Sequence, residues 1–327
     1  MKTIAIIGSG RMGKIYSDAA KASGLKVCGV VGNSKEKTDL LAKDSGSKSY
    51  PEGRLDLLLG DFPHLDGVIL ATPEWVRLDP LKKLVVTDIK ILIEKPLVSS
   101  KKDLLELESV IQGKNENVSV VHSQRFNPKF ITGKKMIDEG RLGQIRHIYA
   151  RRNPNLLAVQ RVLGKFSLAY WLTCHDFDIM RWFTGDELEW VSATSRNKMK
   201  SADDYIMALL HFKSGIDAFL EVSWCSELIA DSAPMATFVV KGTKGLLEID
   251  DTMNNVKFFG QDHVVETLPF EGVEQMGHKI FTDLVSAWAT NPKGKIFHPS
   301  YDDGKKAVMA CALIEESIGS GKKAYGD

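Results

Sequence analysis

Long apolar runs, disulfide-type cysteine spacing and an excess of either charge are all missing from this chain of 327 residues. No apolar stretch approaches the roughly 20 residues a membrane helix needs. Met1 is followed by a strand-like TIAIIG and not by a signal-peptide core, so a cytoplasmic location is expected. With 43 Lys and Arg against 42 Asp and Glu, no global field favours nucleic acid or a membrane surface as a partner. Cys28, Cys174, Cys225 and Cys311 lie far apart and form no C-x-x-C pair, which argues for buried reduced thiols; neither a disulfide framework nor a metal is expected. Internal repeats and low-complexity segments are missing too. What is present is a 43% hydrophobic chain, long enough to bury two domain cores.

The first 121 residues alternate β-branched runs with helix-like stretches. TIAIIG, KVCGVV, DGVILAT, IKILIE and NVSVVH read as strands, the βαβ pattern of a parallel sheet. Between the first two lies GSGRMG, residues 8–13, opening an amphipathic stretch that ends near Gly24. After a strand and before a helix, this is the setting of a dinucleotide loop. Gly8 makes the tight turn, Gly10 lets the backbone approach a pyrophosphate and Gly13 permits close helix packing. Ser9, Arg11 and Met12 belong to the same loop, whose amides face the phosphates at a helix N-terminus.

The second strand ends VVGNSKEK, where an NAD site usually carries an acid for the ribose 2′-hydroxyl. Asn33, Ser34 and Lys35 offer donors and a positive charge instead, so NADP is expected as the preferred cofactor, with NAD possible. Ser34 also has a purely structural reading, as the cap of the helix starting at Lys35.

Beyond residue 121 the pattern changes. A helix near 128–139 and another opening at 173 precede consecutive strands, DYIMALLHF, IDAFLEVSW, ATFVVKG and GLLEID, joined by KSG and GTKG turns. Helices around 277–290 and 303–320 close the chain. The expected fold is therefore α/β: a dinucleotide-binding Rossmann domain over 1–121, and an α+β domain over 122–327 with a large, mainly antiparallel open sheet. An open sheet covered on one face has apolar area to hide, so a homo-dimer or homo-tetramer through that sheet is expected.

YWLTCHDFDIMRWFTG, residues 170–185, poses the sharpest question. Thr173 followed by Asp176 reads as a capping box, and Gly185 as the C-terminal glycine. His175 and Asp178 then lie one turn apart, so the carboxylate can orient the imidazole. A histidine in a first helical turn is held towards its neutral, proton-accepting form by the dipole.

Taken with ILATPEW, IEKPL (93–97), HSQRFNP (122–128), GRLGQI (140–145), HDFD and DDGKKAVMACALIEES, the loop GSGRMG makes the sequence resemble the Gfo/Idh/MocA oxidoreductases over nearly its whole length. The resemblance implies hydride transfer between a nicotinamide and a secondary alcohol or ketone of a sugar, polyol or related small molecule. It implies that Lys95 and His175 line the active site, with Thr72, Pro73, Glu94 and Lys95 on the cofactor and Arg125 among the substrate contacts. The chemistry suits them: a general base takes the hydroxyl proton while a cation stabilises the developing alkoxide. Lys95, at a strand end, also falls where α/β sheets bind ligands.

One position departs from the family pattern. Many members carry an aspartate four residues before the histidine, where this chain has Trp171. Either His175 works with Lys95 and Asp178, Trp171 forming a pocket wall, or the chain binds a dinucleotide and a ligand without turnover. A reductase for a non-sugar substrate is the remaining reading. The upstream stretch ARRNPNLLAVQRVLGK adds Arg151, Arg152, Arg161 and Lys165, of which Arg152 and Arg161 are expected to meet an anionic group on the substrate.

Overall fold

A computed structural model describes the chain except residues 112, 155–161, 163, 200–201, 225–234, 251–254, 261–264, 270–272 and 327. Cα packing divides it into two compact units: Met1–Phe126 with Glu274–Lys305, and Asn127–Val273 with Lys306–Asp327.

In the first unit, strands β1 (Thr3–Ile7), β2 (Lys26–Gly32), β3 (Lys48–Pro51), β4 (Gly67–Leu70), β5 (Lys90–Glu94) and β6 (Val118–Val121) form a parallel sheet ordered β3-β2-β1-β4-β5-β6. This is the doubly wound order, and the chain reverses direction across the sheet between β1 and β4. Helices α1 (Arg11–Ala22), α2 (Lys35–Ser45), α3 (Leu55–Asp61), α4 (Leu78–Val85) and α5 (Lys101–Ile111) make the crossovers. Continuous Val, Ile and Leu runs form β1, β4 and β5 because strands covered on both faces need apolar side chains at every position.

The second unit contains α6 (Pro128–Asp138), β7 (Ile145–Asn153), a π-helical turn over Ala169–Thr173 and α7 (Cys174–Thr184). Strands β8 (Leu188–Met199), β9 (Ala202–Phe212), β10 (Asp217–Ser223), β11 (Met235–Gly242), β12 (Gly245–Asp250), β13 (Asn255–Gly260) and β14 (Val265–Pro269) follow, then helices α8 (Val273–Thr290) and α9 (Tyr301–Ser320), and a short β15 (Ala324–Tyr325). The sheet runs β14-β13-β12-β11-β7-β10-β9-β8-β15, antiparallel except where β7 meets β10. Ile148, Ala150 and Arg152 of β7 are buried, while Tyr149, Arg151 and Asn153 face the other side half-exposed.

The first unit extends beyond the N-terminal stretch that the sequence delimits. Residues 274–305 pack with the parallel sheet, because Leu284, Val285 and Trp288 of α8 join Ile4, Ile6, Val30, Ile69, Tyr16 and Ala20 in one core. Trp288 lies so close over β4 that a Cβ on Gly67 would fall 2.5 Å from its ring. Truncating an aromatic buried this deeply typically costs about 3–5 kcal/mol, which is enough to fix α8 in this unit. Among the described residues no helix is long and apolar enough to cross a membrane.

Candidate active site

The loop after β1 is shaped by its glycines. Gly8 has φ +117°, and a Cβ there would lie 2.4 Å from the Ala71 carbonyl oxygen. A Cβ on Gly13 would lie 1.9 Å from the Gly8 carbonyl oxygen, so α1 presses onto the turn as closely as glycine allows. Gly10 differs: a Cβ would meet nothing within 4 Å, leaving space in front of the helix start. No side chain caps α1 and no acid occupies its first turn, so its leading amides and the positive end of its dipole face that space. Ser9 and Arg11 border it, and Met12 is packed against the core.

A cavity of about 330 Å³ continues from this loop, lined by Gly8, Asn33, Glu52, Thr72, Pro73, Val76, Asp79 and Lys83 among others. The Thr72 hydroxyl is buried without a hydrogen-bond partner among the described residues. An orphaned hydroxyl at the end of β4, beside an uncapped helix and an open glycine, fits a dinucleotide laid over the ends of β1 and β4. Ser34 is the cap of α2, its hydroxyl accepting from the Lys37 amide at 3.4 Å. Lys35, with its side chain 92% exposed, pairs with Asp39 on its own helix at 2.9 Å.

The end of β5 is held by two residues that sequence reasoning did not single out. Arg77 is 2% exposed and donates to the backbone oxygens of Glu94 (2.7 Å), Pro96 and Thr72 (2.8 Å), tying the ends of β4 and β5 together. Tyr16 of α1 donates its hydroxyl to the Glu94 carboxylate, whose other oxygen accepts the Lys95 amide at 3.1 Å. Burial pushes the Glu94 carboxyl up while the Tyr16 bond pulls it down. Burial, then the Glu94 charge, pushes the Tyr16 phenol well above its usual range. Lys95 is half-buried on this clamp. Glu94 is thus a buried support beside the expected cofactor site.

The helix that carries His175 begins earlier than the sequence pattern indicates. Thr173 is helical and caps nothing. The helical backbone runs back through the π-turn, where Ser167 Oγ accepts the Ala169 amide at 3.2 Å and Trp171 N donates to the Ser167 carbonyl at 3.0 Å. His175 therefore sits about two turns inside, beyond the reach of the N-terminal dipole effect. Asp176 is not a cap. It is 1% exposed and accepts two bonds from Arg152, Nε at 2.9 Å and Nη2 at 2.7 Å. That pair answers the charge of Arg152, which is expected to face an anionic substrate but lies 6% exposed on the helix-covered side of the sheet. His175 is half-buried and Asp178, one turn on, is 2% exposed. Gly185 closes α7 in the left-handed conformation, as the sequence suggests.

Trp171 lies in the π-turn with its ring 5.9 Å from that of the buried Trp224, so an aromatic pair stands where the family resemblance implies an acid. Arg125 pairs with Asp303 at 3.0 Å, both side chains under 10% exposed. Asp303 also accepts from Ser300 N (2.7 Å) and Ser300 Oγ (3.0 Å), while Ser300 Oγ takes the Asp303 amide at 3.3 Å. This is a reciprocal capping box at the start of α9, legible in the sequence as S-Y-D-D but not singled out there. Arg161 and Cys225 lie outside the described residues; Cys28, Cys174 and Cys311 are buried. Among the described residues, no three His, Cys, Asp or Glu side chains group to hold a metal.

Comparison with known proteins agrees with this geometry. Residues 2–122 match the family model described as an oxidoreductase family with an NAD-binding Rossmann fold, and residues 130–248 match that of the GFO/IDH/MocA C-terminal domain. The chain belongs to the Gfo/Idh/MocA family. An inositol 2-dehydrogenase of this kind from Pseudarthrobacter chlorophenolicus is 25% identical over 332 residues, covering 98% of this chain and 94% of that protein. The scyllo-inositol 2-dehydrogenase (NAD(+)) of Bacillus subtilis is 27% identical over 229 residues, 67% of this chain and 66% of that one. A crystallised myo-inositol dehydrogenase from Corynebacterium glutamicum has the same fold, with a TM-score of 0.85, 19% identity, and coverage of 100% of this chain and 99% of that chain.

Proposed function

We propose that this Gfo/Idh/MocA protein is a nicotinamide-dependent dehydrogenase acting on a secondary alcohol of a sugar, polyol or derivative, with cyclic polyols as the first candidates. The observation that carries the reading is the convergence of the Gly8–Gly10 turn, the unpartnered Thr72 hydroxyl and the clamped Glu94–Lys95 pair at the C-terminal ends of β1, β4 and β5. That is the switch point where a doubly wound sheet binds its ligand. The inositol dehydrogenases among its relatives suggest the substrate class. The bound nicotinamide would accept or return the hydride. His175 takes or gives the hydroxyl proton, Asp178 orients it, and the Lys95 ammonium stabilises the alkoxide.

The expectation of NADP(H) rests on Asn33, Ser34 and Lys35. With Ser34 engaged as a cap and Lys35 paired with Asp39, two of the three donors are directed elsewhere. We favour NAD(H), in keeping with the NAD-binding description of the family and the relative named for NAD(+). Few cysteines, spaced far apart in the sequence, accord with a cytoplasmic enzyme.

The outward row of the large sheet places Leu209, Phe219, Tyr149 and Val239 in register, with Leu209 and Phe219 each 38% exposed and the Phe219 and Tyr149 rings stacked at 5.9 Å. This face supports a homo-dimer or homo-tetramer. Sedimentation of the parent as an oligomer and of Phe219→Glu as a smaller species is expected; a monomeric parent contradicts it.

The test of function is turnover with a panel of cyclic polyols and sugars, read by nicotinamide absorbance. His175→Ala should lower turnover by about a hundredfold to ten-thousandfold, and Lys95→Ala severely, while nucleotide affinity stays near the parent's. Near-parental activity in either variant defeats the assignment of that residue.

A further inference from the structure

The end of β2 offers no acid for the ribose 2′-hydroxyl, yet the cavity beside it does contain one. In the parallel register of β2 and β3, Gly32 pairs with Pro51. Asn33 and Glu52 are therefore the first residues beyond the paired ends of two strands whose axes are about 4.8 Å apart. On the other side of β2, Gly8 N donates to the Val31 carbonyl at 2.8 Å, so Glu52, Asn33 and Gly8 form a row across the C-terminal edges of β3, β2 and β1. All three line the same cavity of about 330 Å³.

A dinucleotide with its pyrophosphate at the start of α1 would set its adenosine ribose along this row. The ribose 2′-hydroxyl is a donor in need of an acceptor, and the Asn33 amide and the Glu52 carboxylate supply one each. A 2′-phosphate carries roughly −1.5 to −2 charges, and the carboxylate meets it with repulsion. The other charges lining the cavity, Asp79 and Lys83, lie on α4 across from β3 and offset one another. Of the cations flanking this row, Lys35 pairs with Asp39 on its own helix and Arg54, two residues after Glu52, with Asp56.

We propose that Glu52 selects NAD(H) against NADP(H), doing from the end of β3 what an acid at the end of β2 does in other dinucleotide folds. This rests on the reading of the cavity as the adenylate half of a nicotinamide dinucleotide site. Glu52 is exposed in the loop after β3, outside the packed core, so its substitution spares the fold.

The experiment is fluorescence titration of the parent and Glu52→Gln with NADH and NADPH. The parent should bind NADH more tightly. In Glu52→Gln NADH should weaken and NADPH strengthen, moving the ratio of dissociation constants by about tenfold or more, the size of one charge-assisted hydrogen bond. A parent that prefers NADPH, or an unchanged ratio in Glu52→Gln, overturns the role of Glu52 and leaves the dehydrogenase reading standing. A parent that binds neither nucleotide overturns both.

Discussion

The Tyr16 hydroxyl of the first helix donates to the Glu94 carboxylate, which lies 78 positions later and receives the Lys95 amide on its other oxygen. The bond joins the nucleotide-loop helix to the strand end that presents Lys95. Tyr16→Phe leaves a buried carboxylate oxygen without its donor, a loss of about 1–3 kcal/mol. The pH dependence has a definite sign. Burial raises the folded Glu94 carboxyl above its ordinary value, and removing Tyr16 raises it further. A raised carboxyl destabilises the fold most when it must be ionised, and this cost fades as pH falls towards the unfolded value. The difference in urea midpoint between parent and Tyr16→Phe should therefore be larger at pH 8 than at pH 5. A gap that is constant or widens on acidification contradicts this.

Arg152 and Asp176 form a buried bidentate pair. Arg152→Ala should cost about 3–5 kcal/mol of stability, because Asp176 is left charged and buried. The paired replacement Arg152→Met with Asp176→Leu should recover much of that loss. Equilibrium unfolding decides the matter: an Arg152→Ala variant as stable as the parent but with a raised Michaelis constant returns Arg152 to the substrate-contact role expected from sequence.

Asp303 has the opposite acid sign from Glu94. Arg125 beside it, the Ser300 donors and His298 hold its carboxyl well below the usual range despite burial. A depressed carboxyl adds stability above the unfolded value and loses it as pH falls towards the folded one. Asp303→Asn should be less stable than the parent at pH 6 by about 3–5 kcal/mol, with the gap shrinking steadily towards pH 2. Equal acid sensitivity of the two proteins in urea titrations refutes the pairing.

Local spacing made part of this molecule readable. The turn at Gly8–Gly13, the strands around Ile6, Ile69 and Leu92, and Lys95 at a strand end all follow from patterns within a few residues. Strand β3 was hidden because four residues, KSYP, carry too little apolar signal. Strand β7 was hidden because His147, Arg151 and Arg152 break its alternation, and the burial of Arg152 depends on an acid 24 positions away. The Arg77 and Tyr16 clamps have no local signature, since their partners meet them only once the sheet has formed. The HDFD segment misled through its composition: Thr173 and Asp176 have capping-box spacing, but the helix had already begun near Ser167.

The most direct measurement of the central claim follows the hydride itself. The protein is incubated with NAD and cyclic polyols deuterated at each carbinol carbon, and the nicotinamide is recovered for mass and NMR analysis. For at least one polyol the deuterium should appear at the reacting ring carbon of the reduced nucleotide, with the matching ketone formed in equal amount, and His175→Ala should slow that transfer. Tight nucleotide binding with no label transferred from any polyol or sugar would contradict the account and leave a protein that binds a dinucleotide without turning it over.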